Sequence, residues 1–357
     1  MKLKKNCKYA IAAVTSMGVR ITPVNRLGVI ESNNYYMQAT SAETNVLNVS
    51  ASLGHKCLAM TKFVKGSPIA NFIQGELRKR NIDYVGKEVD QGGPWGYRHQ
   101  FNIADSGYGL RGPRVTNDRA GEVGRIINAD DFELKKIFKD EKVAILHVSG
   151  LIAALSKEST KACLKVAEYA KACGTIISFD LNYRASFWEG REKELKQSFH
   201  KLASLADILI GNEEDFQLAL GIKGPEEGGT EIAEQIDSFK KMIENVKKKY
   251  PHVAVYANTL RQVVNANEHL WGAILHEDNK WFVEEPRSIQ VMDRIGGGDG
   301  FVGGLLYSII KGFKPQEQLA FAWATGVLAT TSLNDYGTPL DEEQVWNIYK
   351  GNARVKR

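Results

Sequence analysis

Along the middle of the chain, short apolar runs alternate with longer stretches whose apolar residues recur every three or four positions. Val143-Ala-Ile-Leu-His-Val148, Thr175-Ile-Ile-Ser-Phe179, Asp207-Ile-Leu-Ile210 and Val253-Ala-Val-Tyr256 read as buried strands. Between them, Ser156 to about Cys173, Arg191 to Leu205 and about Glu231 to Lys249 read as helices. Ser156 caps the first and Gly174 ends it. Tyr9 to Val14 reads as the first strand, and Trp271 to Glu284 as a hairpin turning at Asp278-Asn279. A helix follows Asp299. Repeated strand–helix alternation implies a mostly parallel sheet covered on both faces.

The first 130 residues are less regular. Gly18 to Gln38 and Gly92 to Gly121 are rich in Gly, Pro, Asn and Tyr. They predict either a small sheet beside the main one or surface loops. No internal repeat or low-complexity segment interrupts the chain, which reads as one domain over 1–357.

The 357 residues carry 47 basic and 42 acidic side chains, a net charge of +5, and 43% apolar residues. These values exclude a disordered or collagen-like chain. The mild positive charge permits an anionic small molecule, and without a block of like charge it does not argue for nucleic acid. Cys7, Cys57, Cys163 and Cys173 form no C-x-x-C pair, so reduced thiols in a cytoplasmic protein are expected. Lys2 to Lys8 followed by Ile11 to Val14 imitates a signal peptide, but the apolar run is short. No run approaches the ~18 apolar residues of a membrane span, so no membrane partner is expected.

In open α/β sheets, ligands bind beyond the carboxyl ends of the strands. Four polar clusters are predicted there: Asp180-Leu-Asn-Tyr-Arg184, Gly211-Asn-Glu-Glu-Asp215, Asn258-Thr-Leu-Arg261 and Gly296-Gly-Gly-Asp299. The last carries the sharpest chemistry. Three glycines let the backbone approach an anion, and the following helix aims its free N–H groups at it. Asp299 on that first turn would repel a phosphate, unless it takes the proton from a hydroxyl attacking it. That is the general-base geometry of a kinase; the plainer alternative is a helix cap. No Walker-type phosphate loop occurs, and neither H-E-x-x-H nor G-x-S-x-G appears. Gly298-Asp-Gly-Phe-Val-Gly303 matches G-x-G-x-x-G, but it comes too late in the chain for a dinucleotide fold.

Asp293-Arg-Ile-Gly-Gly-Gly-Asp299 resembles the signature of the PfkB (ribokinase-like) carbohydrate kinases. Phe179-Asp-Leu-Asn-Tyr-Arg184 with Phe187-Trp188, Gly211-Asn-Glu-Glu, Asn117-Asp-Arg-Ala120 and Asn334-Asp-Tyr-Gly337 resemble its 2-keto-3-deoxygluconate kinase subgroup. The resemblance implies a three-layer α/β sandwich with a mostly parallel central sheet and a small β-sheet lid formed by 18–38 and 92–121. It implies phosphorylation of 2-keto-3-deoxygluconate to its 6-phosphate, with ATP and Mg²⁺, in a homodimer. Asp299 would be the base, and Gly296, Gly297 and Gly298 the anion hole. Asn182, Arg184, Asn212, Thr259, Arg261 and Asp293 would bind ATP. Asn212 and Glu214, with Asp215 where the family pattern has Glu, would organise the metal through water. Thr40, Ser41, Asn45, Tyr97, Asn117, Arg119, Arg184 and Asp335 would face the sugar acid.

The departures lie on the sugar side. Thr15-Ser16 stands where the family has Gly-Glu or Gly-Asp at the end of the first strand, Thr40-Ser41 replaces two glycines, and Asn117 replaces a tyrosine. They keep two alternatives open: a kinase of another sugar acid or ketose, and a non-catalytic sugar- or nucleotide-binding protein on the same fold.

Overall fold

The structure is a computed structural model and describes residues 1–224 and 236–354. Its strands are β1 Tyr9–Val14, β2 Gly18–Pro23, β3 Tyr35–Thr40, β4 Cys57–Met60, β5 Phe63–Val64, β6 Ile82–Val85, β7 Glu88–Val89, β8 Gln100–Asp105, β9 Arg114–Asp118, β10 Val143–Ser149, β11 Ile176–Asp180, β12 Ile208–Gly211, β13 Val255–Asn265, β14 Glu268–Glu277 and β15 Lys280–Gln290. Nine form the main sheet in the order β15-β14-β13-β12-β11-β10-β1-β4-β6. From β13 to β6 the pairs are parallel; β14 and β15 add an antiparallel edge. This is the mostly parallel sheet that the alternation implies.

The central strands are apolar along their length because both faces are covered. Helices Lys157–Ala172, Glu192–Leu205 and Ile236–Lys249 pack on one face around Phe179, Phe199 and Leu209. Helices Ala42–Ser52, Pro68–Lys79, Gly297–Lys311 and Pro315–Ala329 cover the other around Ile145, Phe301 and Phe321. Ser156 caps its helix by accepting from the Ser159 N–H, as its place in the sequence implies. Residues 231–235 of the expected charged helix lie outside the described residues.

A second sheet, β3-β2-β8-β9, is built from the two irregular segments. Composition allows sheet or loop for these segments, and both occur: β2 and β3 come from the first and β8 and β9 from the second, while 24–34, 92–99 and 106–113 connect or precede them. The hairpin turns at Asp278 and Asn279, both at positive φ (50° and 59°). Its strands run further than the apolar pattern suggests. So does the expected strand Val253–Tyr256, which becomes β13 and continues to Asn265 by pairing with β14. The third polar cluster is therefore mid-strand. The fourth follows the antiparallel β15 at a helix start. Only two of the four cap parallel strands, yet all four reach one cleft.

Candidate active site

Between the ends of β11 and β12 and the overlying four-stranded sheet lies a cleft of about 540 Å³. The main sheet contributes Asp180, Asn182, Arg184 and Gly211 to Asp215; Thr259 and Arg261 come from β13. The smaller sheet contributes Arg20, Thr40, Gln100, Asn102 and Asn117. Gly296, Gly298 and Asp299 close the third side.

The turn before Asp299 depends on Gly296. Its φ is +84°, and a Cβ there would lie 1.7 Å from the Asp335 carbonyl oxygen. The turn is thus pressed against the 333–335 loop. Gly296 is the helix N-cap and has no side chain to satisfy the first N–H groups. The Gly297 N–H donates to the Arg294 carbonyl at 3.5 Å, so the N–H groups of Gly298 and Asp299, with the dipole, are the ones available to an anion. Gly297 is buried behind the turn against Thr330, and Gly298 faces the cleft. Asp299 accepts from Asn45 Nδ2 at 2.8 Å. Burial raises its pKa to about 7, despite the opposing effects of Asn45 and Arg184. It is therefore poised to exchange a proton near neutrality.

Three arginines, Arg184, Arg261 and Arg294, also line the cleft. None is held in an ion pair among the described residues. Burial, then the neighbouring Arg294, brings Arg261 down to about 10; burial and Arg184 lower Arg294. Such a crowd of cations favours a polyanionic ligand. Asn182, at φ +36°, has a buried Oδ1 without a protein partner. Asp215 ties two strand ends together: one oxygen accepts the Tyr183 N–H and the other the Asn212 N–H, both at 2.8 Å. Asn212 Oδ1 accepts the Asp215 N–H at 2.9 Å. Both residues shape the wall that Glu214 shares. Burial, then the charges of Asp215 and Asp299, raises the Asp180 pKa well above the carboxylate range.

Beneath the smaller sheet are Thr40, Ser41, Asn45, Asn117, Arg119 and Asp335. Thr40 donates to Asp335 Oδ2 at 2.6 Å, and Ser41 caps the helix carrying Asn45. Arg119 donates to both oxygens of Glu122, at 2.8 and 3.0 Å. Thr15 and Ser16, at the end of the first strand, are also engaged. The Thr15 hydroxyl lies 2.7 Å from both Ser41 Oγ and Glu43 Oε2, and Ser16 donates to Glu122.

Besides Gly297, two expected site residues lie off the cleft surface. Tyr97 does not line the cleft. Gly96 packs tightly on Gln91 and the Tyr97 N–H donates to the Gln91 carbonyl, folding 91–97 onto itself. Asp293 is fully buried beneath the glycine turn, where it accepts the Ile295 N–H at 3.0 Å and pairs with Arg20. Its geometry supports the turn rather than a direct contact with ATP.

The family model for pfkB family carbohydrate kinases matches residues 31–342. The chain belongs to this family. It is 24% identical over 343 residues to a 2-dehydro-3-deoxygalactonokinase of Haloferax volcanii, covering 95% of this chain and 96% of that protein. It is 28% identical over 310 residues to a 5-dehydro-2-deoxygluconokinase of Clostridium tetani, covering 85% and 81%. The crystal structure of a 2-dehydro-3-deoxygluconokinase from Thermotoga maritima superposes with a TM-score of 0.86 at 25% identity, covering 96% and 99%. The sandwich and its small sheet are thus the ribokinase-like fold of a sugar kinase.

Four polar residues in the cleft of this pfkB kinase escaped sequence reasoning: Arg20, Gln100, Asn102 and Arg294. Arg294 adjoins the glycine turn and could have been found as a cation next to an anion site. Arg20 carries no local signal. Its carboxylate partners Asp293 and Asp335 are 273 and 315 positions away.

Proposed function

We propose that this kinase transfers the γ-phosphoryl group of ATP to the terminal hydroxyl of 2-keto-3-deoxygluconate (2-dehydro-3-deoxygluconate), giving the 6-phosphate and ADP. The observation that carries the reading is Asp299, inside the cleft at the start of the glycine-led helix, with its pKa near 7. Asp299 takes the hydroxyl proton as the oxygen attacks the γ-phosphorus, and the bond to the β-phosphate oxygen breaks. The N–H groups at Gly298 and Asp299 meet the charge spreading over the transferring oxygens.

The nucleotide fits the part of the cleft that the arginines line. Among the described residues Arg184, Arg261 and Arg294 have no carboxylate at ion-pair distance and the buried Asn182 Oδ1 has no hydrogen-bond donor; Thr259 lines the same cleft. Among the described residues no three His, Cys, Asp or Glu side chains group into a direct metal cage. Mg²⁺ would be held by the phosphates and by waters on Asn212, Glu214 and Asp215, and would neutralise phosphate charge. Arg119, Asn117, Thr40, Ser41 and Asp335 would receive the sugar acid, with a guanidinium suited to its carboxylate.

The lid residues Tyr35, Tyr36 and Met37 are exposed, which supports pairing of two lids in a homodimer. Among the described residues no helix is long and apolar enough to cross a membrane, in keeping with a cytoplasmic enzyme.

A second reading keeps the chemistry and changes the sugar acid. It is favoured by the Thr40 and Ser41 side chains in the cleft and by relatives named for 2-dehydro-3-deoxygalactonate and 5-dehydro-2-deoxygluconate. The test is ADP release with MgATP against 2-keto-3-deoxygluconate, 2-keto-3-deoxygalactonate, 5-keto-2-deoxygluconate, fructose and ribose. Turnover on the first, lost in Asp299→Asn, supports the proposal. Preference for another member moves the substrate. ATP and sugar binding without ADP formation from any of them sinks the kinase assignment.

A further inference from the structure

We propose that Arg20 is a positioning residue, a buried cation that ties the lid sheet to the phosphoryl-binding turn so that the two become ordered together. The inference rests on the phosphoryl-transfer reading for its kinetic consequence, but not for its structural one.

Arg20 lies on β2 in the small sheet and is 1% exposed. One terminal nitrogen of its guanidinium pairs with Asp293 and the other with Asp335. Asp293 holds the start of the glycine turn through the Ile295 N–H. The Asp335 carbonyl is the surface on which Gly296 rests. One side chain from the lid therefore neutralises both supports of the turn.

Neighbouring bonds run the same way. Gln38 on β3 donates to the Leu333 carbonyl and accepts the Asp335 N–H, each at 3.0 Å. Thr40 at the end of β3 donates to Asp335. Behind the 333–335 loop, Arg80 stacks 3.8 Å from the Tyr336 ring centroid and donates to Asn48 Oδ1 at 2.8 Å. The loop is thus fixed to the body at Tyr336 and to the lid at Asp335.

A buried ion pair is a weak source of net stability, because desolvation consumes most of the Coulomb gain. Its effect here is geometric. If β2 moves away, Asp293 and Asp335 are left as two buried carboxylates without a counter-ion, and the arrangement under Gly296 relaxes. The turn keeps its anion-binding geometry only while the lid is seated. Sugar binding beneath the lid would then complete the phosphoryl site, a coupling that discourages transfer to water when no sugar is present.

The test uses Arg20→Lys and Arg20→Met in the full chain. A lysine keeps the charge, but one ammonium lacks the fork that spans two carboxylates. In Arg20→Lys, kcat should fall by at least about tenfold, with KM for ATP within about threefold. Amide hydrogen exchange should accelerate at 18–23, 35–40 and 293–299 together, while β10 and β11 keep wild-type protection. Arg20→Met, which retains the stem without the charge, should lose more. Wild-type kcat and exchange in either variant overturn the proposal. So does acceleration spread evenly through β10 and β11, which marks only general loss of stability. If the wild-type protein phosphorylates no sugar acid, the functional reading fails on its own and the exchange pattern still decides this one.

Discussion

Asn45 Nδ2 donates to Asp299 Oδ2 at 2.8 Å across 254 residues of chain. The contact exists because helices Ala42–Ser52 and Gly297–Lys311 cross closely at Gly303, where a Cβ would lie 2.7 Å from the Val46 carbonyl oxygen. The bond favours the charged carboxylate and so opposes the upward push of burial on Asp299. A hydrogen bond to a charged group is worth about 1.5–3 kcal/mol, or about one to two pKa units. Asn45→Ala should therefore move the acidic limb of the pH–kcat profile from near 7 towards 8 or above, with the loss shrinking as pH rises. A pH-independent loss would assign Asn45 to sugar binding alone. Gly303→Ala, which forces the helices apart, should move the limb in the same direction.

Asp299 itself sets activity against stability. Its folded pKa of about 7 lies above the ordinary 3.8 because burial penalises the charge. A raised carboxylate pKa favours the folded state at low pH. That advantage is lost as pH rises from about 3.8 to 7. Asp299→Asn removes the penalty. It should lower kcat by roughly 10²–10⁴-fold, leave ATP affinity nearly unchanged, and melt higher than wild type. The melting difference should open from about pH 4 and level off above pH 7. Thermal scans at pH 4, 6 and 8 beside turnover assays check both halves; a variant that melts lower at pH 8 contradicts the assigned burial penalty.

What could be read from the sequence is what short segments encode. Gly296-Gly-Gly-Asp299 and Asp180-Leu-Asn-Tyr-Arg184 carry their chemistry within a few residues, and both line the cleft. Residues 258–261 were legible as chemistry and misread as architecture. β13 runs on through Arg261 and Gln262 because β14 pairs with it, which a strand's own composition does not record. Arg20 was invisible for a different reason. A lone arginine amid Val19 and Ile21 reads as a solvated strand residue, and only the closed fold delivers two carboxylates to it. Asp293 was legible as part of the motif, but its burial beneath the turn is a tertiary fact.

The three arginines that line the cleft give a prediction that needs no sugar. Burial, then Arg294, lowers the Arg261 pKa, and burial with Arg184 lowers that of Arg294, so both charges are costly in the free protein and are relieved by a bound polyanion. Arg261→Met should weaken ATP binding by about 10- to 100-fold, the value of a charge-assisted hydrogen bond. Melting of the free protein should stay equal or rise. The salt dependence of ATP affinity should be shallower in the variant than in wild type. ATP titrations at two ionic strengths test this without any sugar present. Unchanged affinity would remove Arg261 from the nucleotide site.

Two glycines of the same turn should respond oppositely to alanine. At Gly296 the added methyl meets the Asp335 carbonyl at 1.7 Å, and φ is +84°, so steric conflict and backbone strain act together. Gly296→Ala should cost at least about 2–3 kcal/mol of stability, and should lower kcat because the turn moves off its support. At Gly298 a Cβ meets nothing within 4 Å, and the residue begins a regular helix. Gly298→Ala should fold and melt like wild type, since alanine suits a helix better than glycine does. Any loss of turnover there reports crowding of the transferring phosphoryl group in the cleft. Urea unfolding of the two variants, read beside kcat, separates the roles. Equal stability of both would mean that the turn does not rest on Asp335 in solution.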